Sequence, residues 1–416
     1  MSMAYNALTG KEVMKKHVMI AMAIAAGVIL TGNTWSGEAS AQMGRGPSEH
    51  YVEKRPEVSA APEPESPALF EKIGDMITFS CIIAGAYQYE NPSVGEDDDF
   101  GRGALAIQPE VSISPTPADE IFFKLGFGAG NGLNIEKHPF ALAPWAADLE
   151  DDVKDINGRN RDYLLTAWYK HLFTFDEGHT LGLTGGIIDA TDYLDENPYA
   201  NDEYSQFMNE ALVNAPNAFL PSYDLGGALE WEWSDIALKG VVMQIDENDE
   251  GDAYDFYGVE LNYTLDTLLG EGSYAILLCA TSRDFSGAGG AGKEALKGVG
   301  LSFAQPLGEN LGAWVRFRWC DDEAAVDHKN LYSGGFDISG NLWGRELDNI
   351  GIGYGRLDGG NQDIDRVQAA EAYLRCGLNE IFAVTLDVQY LDDRYKAGAG
   401  EDVDGWITGV RVTAEF

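Results

Sequence analysis

The segment that decides the fold is Trp406-Ile407-Thr408-Gly409-Val410-Arg411-Val412-Thr413-Ala414-Glu415-Phe416, at the C-terminal end of the sequence. Every second side chain, starting from Trp406, is mostly apolar, and the side chains between them are mostly small, polar or charged. Successive side chains of a strand point to opposite faces, so this pattern predicts a strand whose two faces meet different surroundings. A tilted strand of about 9–11 residues crosses a bilayer as part of a barrel. An edge strand of a soluble sheet would show the same pattern, so the rest of the chain has to distinguish the two.

The composition narrows the class of protein. The 416-residue chain has 49 glycines, 11% aromatic residues and a formal net charge of −40. A charge of this sign repels nucleic acid, so no nucleic-acid partner is expected. After residue 41 the sequence contains no uninterrupted apolar run of about 18 residues, which a spanning helix needs. If the chain crosses a membrane, it is therefore expected to do so as a barrel.

The N-terminal residues predict export. Residues 1–41 combine a basic start, an apolar run from Val18 to Leu30 and a small-residue cleavage site ending at Ala41, which together predict a signal peptide. Residues 42–74 are rich in proline and are expected to form a periplasmic tether that ends in a short helix. Residues 75–416 are then expected to form the barrel.

The barrel region reads as one two-sided strand after another. The predicted strands are 77–89, 101–114, 120–128, 162–175, 180–190, 222–234, 236–246, 254–266, 272–284, 296–304, 310–321, 330–339, 348–357, 369–378, 381–392 and 405–416. Their connections alternate between mostly short and mostly long. Outer-membrane barrels have short turns at the periplasmic rim and long loops at the other. The predicted fold is an all-β, transmembrane, antiparallel up-and-down barrel of about 16 strands, with a short N-terminal periplasmic segment.

The barrel interior is the predicted functional region, because no catalytic or nucleotide-binding motif follows residue 41. Several weak contacts in a polar lumen suit a solute that has to leave again, although each candidate can also be explained as ordinary lumen filler. The candidate channel-lining residues are Glu230, Glu232, Trp314, Arg316, Arg318, Glu371, Tyr373, Arg375, Asp387, Gln389 and Arg411. If the long connection 191–221 folds inward as a constriction, the candidates on it are Asp192, Asp195, Asn201, Asp202, Glu203 and Gln206.

Cys81, Cys279, Cys320 and Cys376 each fall in a predicted strand, with no histidine cluster beside them. No metal site is therefore expected, and the four are interpreted as small apolar residues. A disulfide stays open as an alternative, because the predicted compartment is oxidising.

Two parts of the sequence carry a family resemblance. One begins at Gly186-Ile187-Ile188-Asp189-Ala190-Thr191-Asp192-Tyr193-Leu194-Asp195 and continues to Gly227-Ala228-Leu229-Glu230-Trp231. The other is Ala370-Glu371-Ala372-Tyr373-Leu374 followed by Val384-Thr385-Leu386-Asp387-Val388-Gln389-Tyr390. Both resemble the carbohydrate-selective (OprB-like) porin family. The resemblance implies a sixteen-stranded outer-membrane barrel for passive sugar diffusion, with no cofactor and no enzymatic activity.

The expected function is passive diffusion of mono- or oligosaccharides through the outer membrane of a Gram-negative bacterium into the periplasm. The expected partners are sugars or other small hydrophilic solutes, outer-membrane lipid, and the barrel-assembly machinery through Phe416. A homotrimer is a further expectation by analogy with porins. The acidic balance favours a general or cation-preferring porin as the alternative, and an outer-membrane barrel enzyme or a mainly structural barrel stays open.

Overall fold

The structure is a computed structural model that describes residues 76–93, 99–176 and 178–416. The predicted signal peptide and tether, residues 1–74, lie outside the described residues. Sixteen antiparallel strands form one sheet that closes on itself. The strands are β1 (Ile77–Pro92), β2 (Phe100–Thr116), β3 (Asp119–Leu125 continued by Phe127–Ala129), β4 (Leu164–Asp176), β5 (His179–Ile188), β6 (Asp224–Trp233), β7 (Ile236–Ile245), β8 (Tyr254–Thr267), β9 (Gly270–Thr281), β10 (Lys297–Pro306), β11 (Leu311–Cys320), β12 (His328–Ser339), β13 (Asn349–Gly359), β14 (Ile364–Gly377), β15 (Phe382–Tyr395) and β16 (Val403–Glu415).

The last strand closes the barrel as predicted. β16 pairs antiparallel with β1, beginning with Ile82 opposite Glu415. Trp406 and Val412 are exposed on the outer face at 55% and 47%, whereas Arg411 on the inner face is fully buried. The alternation in the sequence is therefore the alternation between the outside and the inside of a barrel.

The connections confirm the predicted two rims. One rim has the connections 117–118, 177–178, 234–235, 268–269, 307–310, 340–348 and 378–381, and the other has 93–99, 130–163, 189–223, 246–253, 282–296, 321–327, 360–363 and 396–402. The strand predicted at 369–378 begins earlier, at Ile364, because the β14–β15 hairpin extends beyond its predicted end. An ion pair of 3.5 Å between Arg366 and Asp392 links the two strands in this extension.

A glycine interrupts β3 where a long loop packs against the wall. The register between β3 and β4 shifts at Leu125, and the Gly126 N–H donates to the Tyr163 carbonyl at 2.9 Å. A Cβ at residue 126 would lie 2.7 Å from the Leu165 side chain. Only glycine allows this close approach without displacing Leu165.

The barrel exterior is apolar, with aromatic side chains near the strand ends. Trp231 and Trp233 stack at 6.1 Å near the short-turn rim, and Tyr390 lies 5.0 Å from Trp406 near the opposite rim. Among the described residues, no helix is both long enough and apolar enough to cross a membrane. The helical segments are α1 (Glu210–Val213) and the 3-10 turns Ile156–Gly158, Ala190–Asp192, Pro216–Ala218, Ala288–Gly290 and Gly340–Trp343, and a small ribbon joins Phe285–Ser286 to Lys293–Glu294.

The four cysteines lie in strands, as the sequence predicts. Cys81 is in β1, Cys279 in β9, Cys320 in β11 and Cys376 in β14, and all four are free thiols.

Candidate channel interior

The connection 189–223, here called loop B, packs against the inner wall of the barrel. The Asp189 carboxylate accepts the Thr191 N–H at 2.9 Å and begins the first turn of the loop. Asn209 caps α1 in the same way, by accepting the Ala211 N–H at 3.0 Å. The Phe207 side chain is 1% exposed. Short capped turns therefore give loop B a fixed shape and an apolar core of its own.

Arg316 of β11 holds loop B through a buried ion pair. Its Nε lies 3.0 Å from Asp195 Oδ1, and the two side chains are 1% and 5% exposed. Its Nη2 also donates to the carbonyls of Asp195 and Ala200, at 3.1 and 3.0 Å. Removing either partner of a buried pair leaves an uncompensated charge, so this contact strongly favours the docked loop.

Two strands near the closing seam hold the middle of loop B. Arg411 of β16 donates to the carbonyls of Glu203 and Gln206 at 2.6 and 2.8 Å. Glu371 of β14 accepts two consecutive backbone N–H groups of the loop, at 2.6 and 2.9 Å. Charged side chains thus satisfy loop backbone groups that burial would otherwise leave unpaired.

The other candidates on these strands are also covered. Trp314 and Tyr373 meet the Phe207 ring edge-on, with centroids 5.7 and 5.1 Å away. Gln389 donates to the Pro144 carbonyl at 2.9 Å. The candidates buried beneath loops are Trp314, Arg316, Arg318, Glu371, Tyr373, Asp387, Gln389 and Arg411. Their inner-face position agrees with the sequence pattern, but they contact folded protein rather than an open lumen.

Three candidates stay at least partly exposed. Glu230 pairs with Lys170 at 2.5 Å, with side chains 22% and 26% exposed. Glu232 accepts a hydrogen bond from Thr180 at 3.3 Å. Arg375 lies near the short-turn rim, 3.3 Å from Glu415.

The six candidates on loop B divide into two groups. Asn201, Asp202 and Gln206 hold the loop's own turns, and Asp195 also accepts the Ala215 N–H at 2.7 Å. Asp192 is exposed and Glu203 is half-buried. Asn201, Asp202 and Gln206 are half-buried as well, so Asp195 is the one of the six that is sealed from solvent.

The sequence prediction missed a second inward connection, 130–163, here called loop A. Trp145 is 1% exposed and donates its indole N–H to the Glu203 carbonyl at 3.0 Å. Asp148 accepts hydrogen bonds from Gln108 of β2 at 2.7 Å and from Tyr223 at 2.6 Å. The signal was present in the apolar residues of the loop, because a solvent-exposed loop has no reason to carry so many. They include Leu142, Leu149 and Val153, all buried.

The opposite side of the barrel has half-buried inward side chains, one of which, Trp168, packs against the buried cluster that contains Tyr193 and Leu194 of loop B. These inward side chains are Glu110 of β2, Phe122 and Lys124 of β3, Trp168 and Lys170 of β4, and Glu230 of β6. Phe122 and Trp168 are cross-strand partners whose rings stack at 4.9 Å. We call the inner faces of β10–β16 the packed wall and these six side chains the open wall. Only Glu230 of the open wall was among the sequence candidates, although the alternation already placed Phe122 and Lys124 on the inner row.

Carboxylates outnumber cations beside the open wall. Asp192, Asp148, Glu110 and Glu203 lie within electrostatic range of Lys124. Poor solvation in the enclosed interior, and then Asp202, raises the pKa of Glu203 to about 8. Enclosure by the surrounding barrel and loops, although the Asp192 side chain itself reaches solvent, and then the Asp189 charge raise the pKa of Asp192 to about 7. The negative charge of the passage therefore depends on pH near neutrality.

Comparison with solved structures agrees with this architecture. The structure of *Pseudomonas putida* OprB at high pH aligns with a TM-score of 0.63 and 14% identity, covering 83% of this chain and 96% of OprB. The low-pH structure of the same protein gives a TM-score of 0.53 at 13% identity, covering 83% and 95%. The chain therefore has the fold of a porin.

Sequence comparison adds a family. No family model matches the chain. A protein of *Aquifex aeolicus* (strain VF5), named only as uncharacterized, is 34% identical over 308 residues, which is 73% of this chain and 89% of that protein. The chain belongs to the same family as this *Aquifex* protein.

Proposed function

We propose that the chain is an outer-membrane porin through which small hydrophilic solutes, carbohydrates in particular, diffuse passively into the periplasm of a Gram-negative bacterium. The observation that carries this proposal is the open wall, a set of partly exposed polar and aromatic side chains inside a closed barrel with an apolar exterior. The OprB-like fold and the residues that resemble the carbohydrate-selective family support it.

The chemistry of the open wall suits sugars. The stacked rings of Phe122 and Trp168 offer flat apolar faces to the face of a sugar ring. The Lys170–Glu230 pair offers both donors and acceptors to hydroxyl groups. Separate contacts along a passage bind a solute weakly enough to release it, which diffusion requires.

Planar-bilayer recording tests this proposal. The purified, folded protein is expected to form open channels whose current falls as mono- or oligosaccharides are added. Absence of any conductance would contradict every porin function. It would instead favour the enzyme or the structural barrel named above.

A specific observation also favours the second candidate, a cation-preferring porin. The net charge is −40, and four carboxylates lie within electrostatic range of Lys124. Reversal potentials in a salt gradient separate the two candidates. Strong cation preference without any block by sugars would favour the second.

The end of the chain supports a proposal about assembly. The Phe416 N–H donates to the Cys81 carbonyl at 3.1 Å, and its ring is 61% exposed beside Phe382. We propose that the assembly machinery reads this exposed aromatic end, that residues 1–41 direct export, and that residues 42–74 tether the barrel in the periplasm. Deleting Phe416 is expected to reduce outer-membrane insertion severalfold, measured by heat-modifiable gel migration of membrane fractions. Unchanged insertion would contradict the role of Phe416.

Cross-linking followed by mass measurement tests the proposed homotrimer.

A further inference from the structure

Two cations occupy equivalent positions on opposite sides of the barrel. Lys124 is the sixth residue of β3 and Arg316 the sixth residue of β11, each counted from the short-turn rim. β3 and β11 are half the barrel apart in the strand order. Arg316 is sealed against Asp195 of loop B. Lys124 is half-buried, and among the described residues it has no carboxylate within 4 Å.

The surroundings of Lys124 come from three separate elements. Glu110 is its direct cross-strand partner on β2. Asp148 of loop A is fixed nearby through Gln108, which is two residues from Glu110 on the same inward row. Loop B brings Asp192 and Glu203 within electrostatic range. Lys124 is thus a single ammonium group within the electrostatic range of four carboxylates from three elements.

The distance between Lys124 and its neighbouring carboxylates affects the electric field in the passage. Lys170 is neutralised by Glu230 at 2.5 Å, and Lys239 contacts Glu196 directly. A lysine without a contact partner leaves its field directed into the passage, where walls of low dielectric focus it. Any solute that passes between loop B and β3 crosses this field.

We propose that Lys124 is the residue that sets the charge selectivity of the passage, by opposing the cation preference of the four carboxylates near it. This inference rests on the proposed porin function. It predicts that solutes carrying a protonated amine are admitted best and that Lys124 limits this preference. Phe122 is the next inward residue on β3 from Lys124, about 7 Å along the strand, and its ring stacks on Trp168. The charged and the aromatic contacts are therefore neighbours on the same wall.

The experiment compares reversal potentials in a potassium chloride gradient for the wild type and four variants. Lys124→Gln is expected to raise the potassium-to-chloride permeability ratio by about tenfold, because one unit charge about 6 Å away in water changes the partition of each ion by about threefold, in opposite directions. Lys124→Glu is expected to raise it further, and Asp192→Asn to lower it. Lys124→Arg is the matched control, because it keeps a positive charge at the same position on the same strand.

The outcomes are distinguishable. Equal shifts for Lys124→Gln and Lys124→Arg, or no shift for Lys124→Gln in a conducting, heat-modifiable barrel, would overturn the role of Lys124 and leave the porin function standing. A folded wild-type protein that never conducts would overturn the proposed function and this inference with it.

Discussion

The packed wall and the open wall obey the same sequence rule and have different surroundings. Arg316 and Lys124 are both inward cations at the same depth, yet Arg316 is 1% exposed against a loop and Lys124 is half-buried beside the passage. Period-two alternation tells the inside of a barrel from the outside. It does not tell whether an inward side chain meets water or folded protein. The occupants of the lumen, loops A and B, make that difference.

The largest expected effect comes from breaking the packed wall. Arg316→Ala leaves the buried Asp195 carboxylate without its partner, which typically costs about 3–5 kcal/mol. We expect loop B to detach, giving protease cleavage within 189–223 and a larger, noisier single-channel conductance. Lys170→Ala, which breaks a partly exposed ion pair, is the control and is expected to change neither readout appreciably. If loop B of the Arg316 variant stays docked and resists protease, the Arg316–Asp195 ion pair does not hold it, and the two walls do not differ in how they are covered.

A smaller effect is expected on the open wall. Trp168→Ala removes the stack with Phe122, whose rings lie 4.9 Å apart. Aromatic contacts of this kind contribute about 0.5–1.5 kcal/mol, so the sugar concentration that halves the current is expected to rise roughly two- to tenfold. Tyr373→Phe on the packed wall keeps the buried ring and is expected to leave the block unchanged. Equal effects of the two substitutions would remove the distinction between the walls for sugar passage.

The smallest predicted effect is a pH dependence confined to the open side. The raised pKa values of Glu203, about 8, and Asp192, about 7, mean that both carboxylates lose charge as the pH falls through these values. Cation preference is therefore expected to be nearly full above about pH 9 and to fall steadily toward pH 6, while Lys124 stays charged. Reversal potentials measured across this range check it. Glu203→Gln is expected to remove most of the response between pH 7 and 9, and an unchanged profile in that variant would contradict the assignment.

Much of the fold follows from the sequence, and particular residues show why. The inner and outer rows of Trp406–Phe416, and the alternation of connection lengths, depend on local spacing that a single sequence displays. The start of β14 at Ile364 was missed because residues 364–368 are held by backbone pairing with β15, which local spacing does not show.

The candidate site follows much less completely, since it depends on contacts far apart in sequence. Asp195 and Arg316 are 121 residues apart, and spacing alone does not bring them together. Asp192 and Glu203 were chosen as constriction candidates and do reach solvent in the lumen. Lys124 and Trp168 were not among the candidates, although the period-two alternation places Lys124 on the inner row. The alternation does not show that the loops cover the opposite wall and leave Lys124 partly exposed.

The most direct test of the two-wall account is substituted-cysteine labelling of the folded barrel in a bilayer. Ser333 is the cross-strand partner of Arg316 and is 6% exposed, so Ser333→Cys is a nearly isosteric probe of the packed wall at the depth of Lys124. With the labelling of the unsubstituted protein subtracted, a hydrophilic thiol reagent is predicted to modify Lys124→Cys rapidly and reduce its current, and to leave Ser333→Cys unmodified. Equal modification at both positions, or faster modification at Ser333→Cys, would contradict the account.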